Sequence, residues 1–457
     1  MEAQVFSLAS MNPLLTYNPR RSDGASVAAE EGGVSMRDLR ASEHTAAVDG
    51  TPHAPDQYDL SCCGTSIRIV RGSKVHYAFY AVNLIIVCIV VIIILACAGV
   101  FNKSSSSSSS SPPTYMRWCV GNCNSDVSAA TQPGVVLMGG GTDVDAAFNW
   151  QIANANGGDF LVLRADDSQG YNDYVYNLSA VLGKKLNSVS TIQFISKEAS
   201  NDSVVLSYIQ NAEAIFFAGG DQSVYTGLWQ DTAVQRLLQG KLSTVTIGGT
   251  SAGCAILGNW VYNSSYVAPE GEDDHNLLSH ASMIDPFDPL ITIQDSFLKI
   301  PFLEQVITDT HFVERNRMGR MLTFVSTLIN REDTLAIRGV GIDAQAALLL
   351  DVTTGIARAV GFNTVHICNG RRRPEVYSKG KPLTFSNITC TRLNALDSST
   401  YDFAAYTGAF VTRYCNNITL GRLNADHYGP LIGGQSFTYY GYGYSYGVSG
   451  AVEDSCV

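Results

Sequence analysis

Between residues 134 and 260, short apolar or β-branched runs alternate with segments of helical spacing, and this alternation constrains the fold more than any other feature. Strands alternating with helices of this length are typical of a parallel sheet covered by helices on both faces. We therefore predict a doubly wound α/β domain. The predicted strands cover residues 134–138, 160–163, 191–195, 214–218 and 244–247, and the predicted helices cover residues 143–153, 201–212 and 222–239.

Three glycine-rich loops follow predicted strands, at residues 139–143, 219–222 and 249–253. In sheets of this kind, ligands bind beyond the carboxyl ends of the strands, so these loops should converge on one site. Gly139-Gly140-Gly141 lacks the third glycine of a dinucleotide-binding motif and indicates a tight turn instead. We predict no cofactor.

The loop GGTSAG matches the nucleophile elbow G-x-S-x-G, in which a strand turns sharply into a helix. Side chains at Gly249 or Gly253 would collide with the packing beside the turn. The turn would expose Ser251 Oγ, and the Ala252 N–H at the helix start could stabilise negative charge. The same five residues also fit a glycine-rich turn with an incidental serine.

A nucleophilic serine needs a base, usually a histidine, within hydrogen-bond reach. Only one candidate, His311, lies among other functional-looking side chains, in residues 309–320; the others are His275, His280, His366 and His427. The arginines of this segment could clamp a carboxylate. The alternative is that they begin an exposed helix and pair with Glu314, but the clustering of functional side chains favours a role in the site.

These motifs together resemble the cyanophycinase and dipeptidase E group of serine peptidases, over about residues 134–421. The matching stretches are VVLMGGGTDVDAAFNW, GGDFLVLRA, AEAIFFAGGDQ, GGTSAG, DTHFVERNRMGR and GVGID. The resemblance implies a flavodoxin-like α/β fold related to class I glutamine amidotransferases, with serine in place of their cysteine. An amidotransferase using Cys254 is disfavoured, because that residue lies past the apex of the elbow.

The resemblance also implies roles for individual residues. Ser251 would be the nucleophile and His311 its general base, and the Gly220 and Ala252 N–H groups would form the oxyanion hole. The substrate, in that group a β-linked aspartyl-arginine polymer or an aspartyl dipeptide, would be recognised by Gln222, Asp309, Arg315, Arg317 and Arg320.

Two positions depart from that group. Its pattern has a glutamate after G-I-D to orient the histidine, whereas Ala344 stands here, and Thr310 replaces a glutamine. Asp343 or Gln345 could take the place of this acid, although the alternation of side chains along a strand would point both away from the side of Ala344. Alternatively, Glu332 or Asp333 could supply it from elsewhere in the chain. Two hypotheses follow: a serine peptidase that cleaves aspartyl or isoaspartyl bonds through an acyl-enzyme, or a catalytically impaired ectodomain for binding or adhesion.

An almost wholly apolar run at residues 77–101 is long enough to cross a bilayer as a helix. Arg68, Arg71 and Lys74 precede the run and only Lys103 follows closely, which predicts a single-pass type II protein with its catalytic domain extracellular or lumenal. The predicted parts are a disordered cytoplasmic tail (1–74), the transmembrane helix (77–101), a Ser/Pro-rich stalk (102–132), the peptidase domain (133–421) and a Tyr/Gly-rich tail (422–457).

Cysteine usage and glycosylation motifs agree with an oxidising compartment. Six cysteines that flank the predicted core could form three disulfides, with 15 pairings open. The predicted glycosylation sites are Asn177, Asn201, Asn263, Asn387 and Asn417. The net charge of −11 argues against a nucleic-acid partner. We predict no metal site. The predicted partners are an Asp-containing peptide as substrate and the lipid bilayer, which residues 77–101 would contact. A homodimer is possible.

Overall fold

The structure, a computed structural model, describes residues 57–62, 65–70, 112–166, 170–265, 277–424 and 428. The chain divides into two compact units, Met1–Ser107 and Ser108–Val457. In the first unit, residues predicted to be disordered form an antiparallel hairpin, in which Gln57 pairs with Val70. The predicted transmembrane segment 77–101 lies outside the described residues. Within the residues described, no helix has the length and apolar character needed to cross a membrane.

The elements are numbered here in chain order. The strands are β1 (Gln57–Cys62), β2 (Thr65–Val70), β3 (Tyr115–Gly121), β4 (Gly134–Met138), β5 (Asp159–Arg164), β6 (Ser188–Phe194), β7 (Ala214–Phe217), β8 (Thr246–Thr250), β9 (Trp260–Tyr262), β10 (Ile293–Asp295), β11 (Val306–Asp309), β12 (Arg338–Ile342), β13 (Ala346–Leu350), β14 (Ile356–Gly361), β15 (Thr364–Gly370), β16 (Phe385–Asn394), β17 (Thr400–Asp402), β18 (Thr407–Ala409), β19 (Val411–Thr419) and β20 (Arg422–Leu423). The helices are α1 (Asp145–Ala155), α2 (Tyr171–Val181), α3 (Ser203–Asn211), α4 (Gln222–Trp229), α5 (Ala233–Lys241), α6 (Ala252–Ala255), α7 (Ser279–Ile284) and α8 (Met318–Arg331), with a 3₁₀ turn at Lys197–Asn201.

The main sheet has the spatial order β18-β17-β14-β13-β4-β8-β7-β5-β6-β3. Its central strands β4, β8, β7, β5 and β6 are parallel, which confirms the predicted α/β class. Four of them, β6-β5-β7-β8, follow the 2-1-3-4 order of flavodoxin-like sheets. The fifth place is taken by β4, which precedes these strands in the chain, so the order differs from the flavodoxin order in that strand.

Helices cover both faces of this sheet because its central strands are apolar on both sides. In β4, Val135 and Leu137 belong to one buried cluster, whereas the alternating Val136 and Met138 belong to another. A strand with one exposed face would instead alternate apolar and polar residues. The sheet is therefore buried at the centre of the domain, and the polar side chains of a site can lie only in the loops at the ends of its strands.

A second sheet, with the order β10-β9-β11-β12-β15-β16-β19-β20, was not predicted. Strand β11 runs parallel to its neighbours β9 and β12, and the later pairs are antiparallel. Helix α8 packs its buried face, including Met321 and Phe324, into the core of this sheet. The segment that joins β11 to α8 is the one that carries His311.

The structure changes two predicted boundaries. Residues 115–121, assigned to the stalk, form edge strand β3, which pairs antiparallel with β6, and a disulfide joins Cys119 to Cys123. Apolar and aromatic residues in this segment offer a strand that the neighbouring Ser/Pro composition concealed. At the other end, strand β20 belongs to the predicted tail but pairs with β19. The Tyr/Gly repeat lies outside the described residues.

The predicted helix at residues 222–239 is divided into α4 and α5. Asp231 adopts a positive φ of 62°, which interrupts the helix, and the Thr232 side chain caps α5 by accepting the Gln235 N–H.

Two cysteine pairs are bonded, Cys119–Cys123 and Cys368–Cys390, and Cys415 is also in a disulfide. Cys254 is a buried free thiol.

Candidate active site

The turn between β8 and α6 has the geometry of a nucleophile elbow. Ser251 stands at its apex with φ 52° and ψ −116°, a conformation that L-residues rarely adopt. Backbone strain of this kind costs on the order of 1–3 kcal/mol and persists only where the surroundings enforce it. The Ser251 N–H donates to the Met138 carbonyl at 3.1 Å, which ties the apex to the end of β4.

Two glycines make this turn sterically possible. A Cβ on Gly249 would lie 2.3 Å from the Gly253 carbonyl oxygen, and a Cβ on Gly253 would lie 2.2 Å from the Phe217 carbonyl oxygen. Both contacts are with backbone, which cannot move aside as a flexible side chain can. The predicted need for glycine at these positions is therefore supported by the geometry.

The structure brings Ser251 and His311 together, although 60 residues separate them. Ser251 Oγ lies 2.9 Å from His311 Nε2, within hydrogen-bond distance. Gly140, with φ 101°, lies against the same ring, and a Cβ there would come within 2.4 Å of Nε2. The glycine run after β4 thus provides room for the imidazole.

The second ring nitrogen of His311 is also engaged. His311 Nδ1 lies 3.1 Å from Glu314 Oε2, so the ring is held between the serine hydroxyl and a carboxylate. Glu314 was missed as a partner of His311, because the sequence offered it only as a partner of the neighbouring arginines. Its spacing of three residues from His311 was the available signal, and reading it required the turn that the segment adopts.

None of the four residues considered for the acid contacts the His311 ring. Asp343 is buried on the other side of the loop, where it accepts hydrogen bonds from Val313 and Thr364. Gln345, at φ 58°, directs its backbone N–H to the Gly140 carbonyl. The remaining two pair with arginines at the surface: Glu332 with Arg331, and Asp333 with Arg373.

Beside the serine, a cavity of about 220 Å³ contains every predicted substrate-binding residue. They are Gln222, Asp309, Arg315, Arg317 and Arg320. Tyr262 and Ser264 also line the cavity and were not predicted. The Gln222 amide donates to the Tyr262 carbonyl at 3.0 Å, so its orientation is fixed.

Two of these residues form an internal ion pair. The Arg320 guanidinium donates to both carboxylate oxygens of Asp309, at 2.7 and 2.5 Å, and its cationic centre lies 5.0 Å from the Tyr262 ring centroid. Burial opposes the ionisation of Asp309, but Arg320 and Arg317 hold the pKa of that carboxyl below its usual range. Arg317 Nη1 also lies 3.4 Å from Asp309 Oδ1, a longer contact, so the positive charge that Asp309 leaves unbalanced in the cavity comes from Arg315 and Arg317.

Arg315 and Arg317 carry that charge differently. Arg317 donates to the Thr310 carbonyl at 2.8 Å, and burial together with Arg320 lowers its pKa to about 9. Arg315 is exposed, and its side chain makes no hydrogen bond or ion pair to any residue that the structure describes. The cavity thus presents an available guanidinium group near the serine, which suits an acidic ligand.

The two predicted oxyanion donors line the same cavity. Gly220, at φ 143°, follows Gly219, where a Cβ would lie 3.6 Å from Ser251 Cβ. Ala252 follows Ser251 directly. In the described ranges, no hydrogen bond uses the N–H of Gly220 or Ala252, so both remain available to a ligand.

The protonation of His311 depends on opposing neighbours. Burial lowers the pKa of His311, and Arg315 and Arg317 lower it further, whereas Glu314 raises it. The balance keeps the imidazole neutral near neutral pH, the form that can accept a proton. Among the described residues, no group of three or more His, Cys, Asp or Glu side chains is arranged to hold a metal ion.

The predicted glycosylation sites differ in exposure. Asn177, Asn201 and Asn417 are exposed, and Asn387 is half-buried. Asn263 is 8% exposed, and its amide nitrogen donates to Gln294 at the second sheet. A glycan on Asn263 would have to break that contact, so the structure disfavours this site.

Comparison with known proteins agrees with the resemblance drawn from the motifs. Residues 135–285 match the model of peptidase family S51. The chain is 33% identical over 166 residues to a cyanophycinase from Geminocystis herdmanii (strain PCC 6308), covering 36% of this chain and 52% of that protein. It is 26% identical over 207 residues to a cyanophycinase from Trichormus variabilis (strain ATCC 29413 / PCC 7937), covering 44% and 61%.

The matches therefore span between about half and three fifths of the length of these curated relatives. Among solved structures, a peptidase from an acI-B1 Actinobacterium aligns with 59% of this chain and 97% of its own, at 18% identity and a TM-score of 0.38.

Proposed function

We propose that this chain is a serine-type peptidase that acts through an acyl-enzyme on Ser251, and the match of residues 135–285 to peptidase family S51 and the similarity to cyanophycinases support this proposal. The observation that carries the proposal is the 2.9 Å contact between Ser251 Oγ and His311 Nε2 at a strained strand–helix turn. A serine and a base at this distance, beside an open cavity, form the constellation that acyl transfer requires.

In the proposed reaction, neutral His311 takes the Ser251 hydroxyl proton on Nε2 while Oγ attacks the peptide carbonyl. The carbonyl π electrons move to oxygen, and the Gly220 and Ala252 N–H groups donate to that oxyanion. Collapse of the tetrahedral intermediate breaks the C–N bond, and His311 returns its proton to the departing amine. Water then attacks the ester in the same way and releases the acid and Ser251.

We propose an aspartyl or isoaspartyl peptide as the substrate. Arg315 is the available guanidinium of the cavity, and a bidentate bond to a free carboxylate is the interaction it is suited to make. A β-linked aspartyl unit has its free α-carboxylate close to the scissile carbonyl, which matches a cation beside the nucleophile. The two relatives compared above are cyanophycinases, which supports this class of substrate.

A fluorophosphonate probe tests the chemistry without a choice of substrate. The full-length chain in detergent should be labelled, and Ser251→Ala should not be. Hydrolysis of β-Asp-Arg should exceed that of the α-linked isomer and be lost in the same variant. Absence of labelling and of turnover above the Ser251→Ala control would refute the enzymatic proposal.

We also propose that the catalytic domain is anchored by residues 77–101 and faces an extracellular or lumenal compartment. The distribution of basic residues around that run supports this orientation. The disulfides Cys119–Cys123 and Cys368–Cys390 are consistent with an oxidising compartment.

Glycosidase treatment of the protein from its membranes tests this orientation. We expect a mobility shift that decreases in Asn177→Gln and Asn201→Gln but is unchanged in Asn263→Gln, because Asn263 is buried. An unshifted wild-type protein would count against an external catalytic domain.

The alternative is a catalytically impaired ectodomain used for binding or adhesion, which is favoured by Ala344 and by the low-complexity Tyr/Gly-rich sequence of the tail. Glu314 weakens the first argument, because a carboxylate lies at the histidine despite Ala344. We therefore favour the enzyme, and the probe experiment separates the two hypotheses.

A further inference from the structure

We infer that Glu314 is the positioning residue for His311, and that it takes the orienting role for which position 344 offers only a methyl group. The inference rests on the proposed function, since it assigns a partner to the base of that reaction. Its basis is the contact between His311 Nδ1 and Glu314 Oε2 at 3.1 Å, on the opposite side of the ring from the serine. A neutral imidazole that accepts a proton on Nε2 must carry its own proton on Nδ1, and a carboxylate there selects that tautomer.

The turn that begins at His311 brings Glu314 to the ring. His311 has a left-handed backbone, with φ 46°, and its carbonyl accepts the Arg315 N–H at 3.0 Å. This closes one helical turn, in which residues three apart lie on the same side. Glu314 therefore reaches His311 along a short local path.

Three successive backbone N–H groups anchor the start of this turn to the two neighbouring sheets. The His311 N–H donates to the Gly139 carbonyl (2.8 Å) and the Phe312 N–H donates to the Ile342 carbonyl (3.2 Å). The Val313 N–H donates to an Asp343 carboxylate oxygen (3.1 Å). A backbone fixed at three consecutive residues leaves Glu314 few conformations to lose when its carboxylate meets the ring. Asp343 thus acts on the loop backbone, and Glu314 acts on the imidazole.

The charges around His311 give Glu314 a further task. Arg315 and Arg317 both disfavour the imidazolium that forms when His311 accepts the serine proton, and so does burial. Glu314 is the neighbour that opposes them. Within the described part of the chain, no other side chain hydrogen-bonds to His311 Nδ1. Removing Glu314 should therefore lower both the pKa of His311 and the rate of the proton transfer.

The expected loss is moderate because the Glu314 side chain is 37% exposed. Removing a fully buried orienting acid has cost about 10⁴-fold in kcat in a serine protease. Solvent screening weakens the contribution of a partly exposed carboxylate. We expect Glu314→Gln to lower kcat about 10²-fold and to leave KM nearly unchanged, since the proposed substrate cation is Arg315.

The experiment compares Glu314→Gln with Glu332→Gln in the full-length protein. Glu332 is a matched control: it is a surface acid paired with the adjacent Arg331, away from the site. Fluorophosphonate labelling is measured against pH. Because labelling needs neutral His311, its acid limb should move to lower pH in Glu314→Gln while the plateau rate falls, and Glu332→Gln should match the wild type.

A second measurement does not depend on activity. The His311 imidazole is titrated by NMR in both variants, and its pKa should fall in Glu314→Gln alone. An unchanged His311 pKa, or a labelling plateau within twofold of Glu332→Gln, would overturn the role of Glu314. A wild type that titrates as expected but is never labelled would refute the proposed function and leave the His311–Glu314 contact established.

Discussion

The elbow and the histidine loop place the two reacting side chains by different means. At the elbow, Ser251 is fixed by steric exclusion, because Gly249 and Gly253 leave no space for a side chain between backbone segments. The histidine loop, residues 311–317, is fixed by hydrogen bonds and charges. Steric exclusion allows almost no substitution, whereas a polar network can satisfy the same ring with an acid from another position. If Glu314 orients His311 as inferred above, this difference accounts for the absence of an acid at Ala344.

The largest effect should come from closing the elbow. Gly253→Ala places a Cβ 2.2 Å from the Phe217 carbonyl oxygen, so backbone must shift. We expect a loss of about 3 kcal/mol in the free energy of unfolding and complete loss of Ser251 labelling. Gly227→Ala is the matched control, since a Cβ there meets nothing within 4 Å in helix α4; it should be neutral or stabilising by up to about 1 kcal/mol. Equal melting curves for the two variants would contradict steric control of the elbow.

Gly140→Ala tests the boundary between the two regions. Its Cβ would lie 2.4 Å from His311 Nε2, a side-chain atom that can move, so the protein should fold with the imidazole displaced from Ser251. We expect labelling to fall by about 10²-fold or more, the scale of a misplaced catalytic group, with a stability loss of about 1–2 kcal/mol.

Gly183→Ala provides the control for Gly140→Ala, because it has a positive φ of 65° but open space around it. It should show a similar backbone cost and full labelling. If both glycine variants retained labelling, the inference that Gly140 makes room for the base would be wrong.

Asp343→Asn tests the network behind the loop. Burial raises the pKa of Asp343 to about 7, above the value of about 3.9 for an unfolded chain. A raised pKa contributes stability that is complete below pH 4 and is lost as the pH rises through 7. The stability advantage of the wild type over Asp343→Asn should therefore be largest near pH 4 and shrink by pH 8, as measured by chemical denaturation. A constant difference across this range would contradict a protonated Asp343.

Arg315→Gln should have the smallest effect on the plateau rate of fluorophosphonate labelling, a reaction that needs no substrate carboxylate. Arg315 lowers the pKa of His311, so its removal should raise that pKa and move the acid limb of labelling to higher pH. Glu314→Gln should move the limb the opposite way. Opposite shifts would show that charges set the state of the base, whereas parallel shifts would indicate a general disturbance of the loop.

The elements that the sequence predicted are those determined by local pattern. The apolar runs at residues 134–138 and 214–218 gave their strands, and the glycine spacing around Ser251 gave the elbow. The second sheet was missed because its strand pairs are long-range and mostly antiparallel, without the strand–helix alternation of the main sheet. Strand β3 was missed because the surrounding serines and prolines resemble a linker, although its ordering depends on pairing with β6.

The residues of the candidate site were likewise predictable only where a local motif identifies them. Ser251 and His311 follow from motifs, and the structure places them in contact. The sequence did not show that Asp309 and Arg320 play a different role from Arg315. Only the fold shows that Asp309 and Arg320 form an ion pair with each other. The contact of Glu314 with His311 depends on a left-handed backbone at His311, a conformation that is uncommon for any residue other than glycine and that the sequence alone did not indicate.

The position of Glu314 has a consequence for motion. An acid on the strand side, at position 344, would tie the imidazole to the β12–β13 connection, so any displacement of the histidine loop would separate the base from both partners. With Glu314 three residues away on the same turn, the base and its acid travel together. Of the two side-chain contacts that the imidazole makes, a loop displacement would then break only the one to Ser251, and the proposed catalytic pair would reform when that contact is restored.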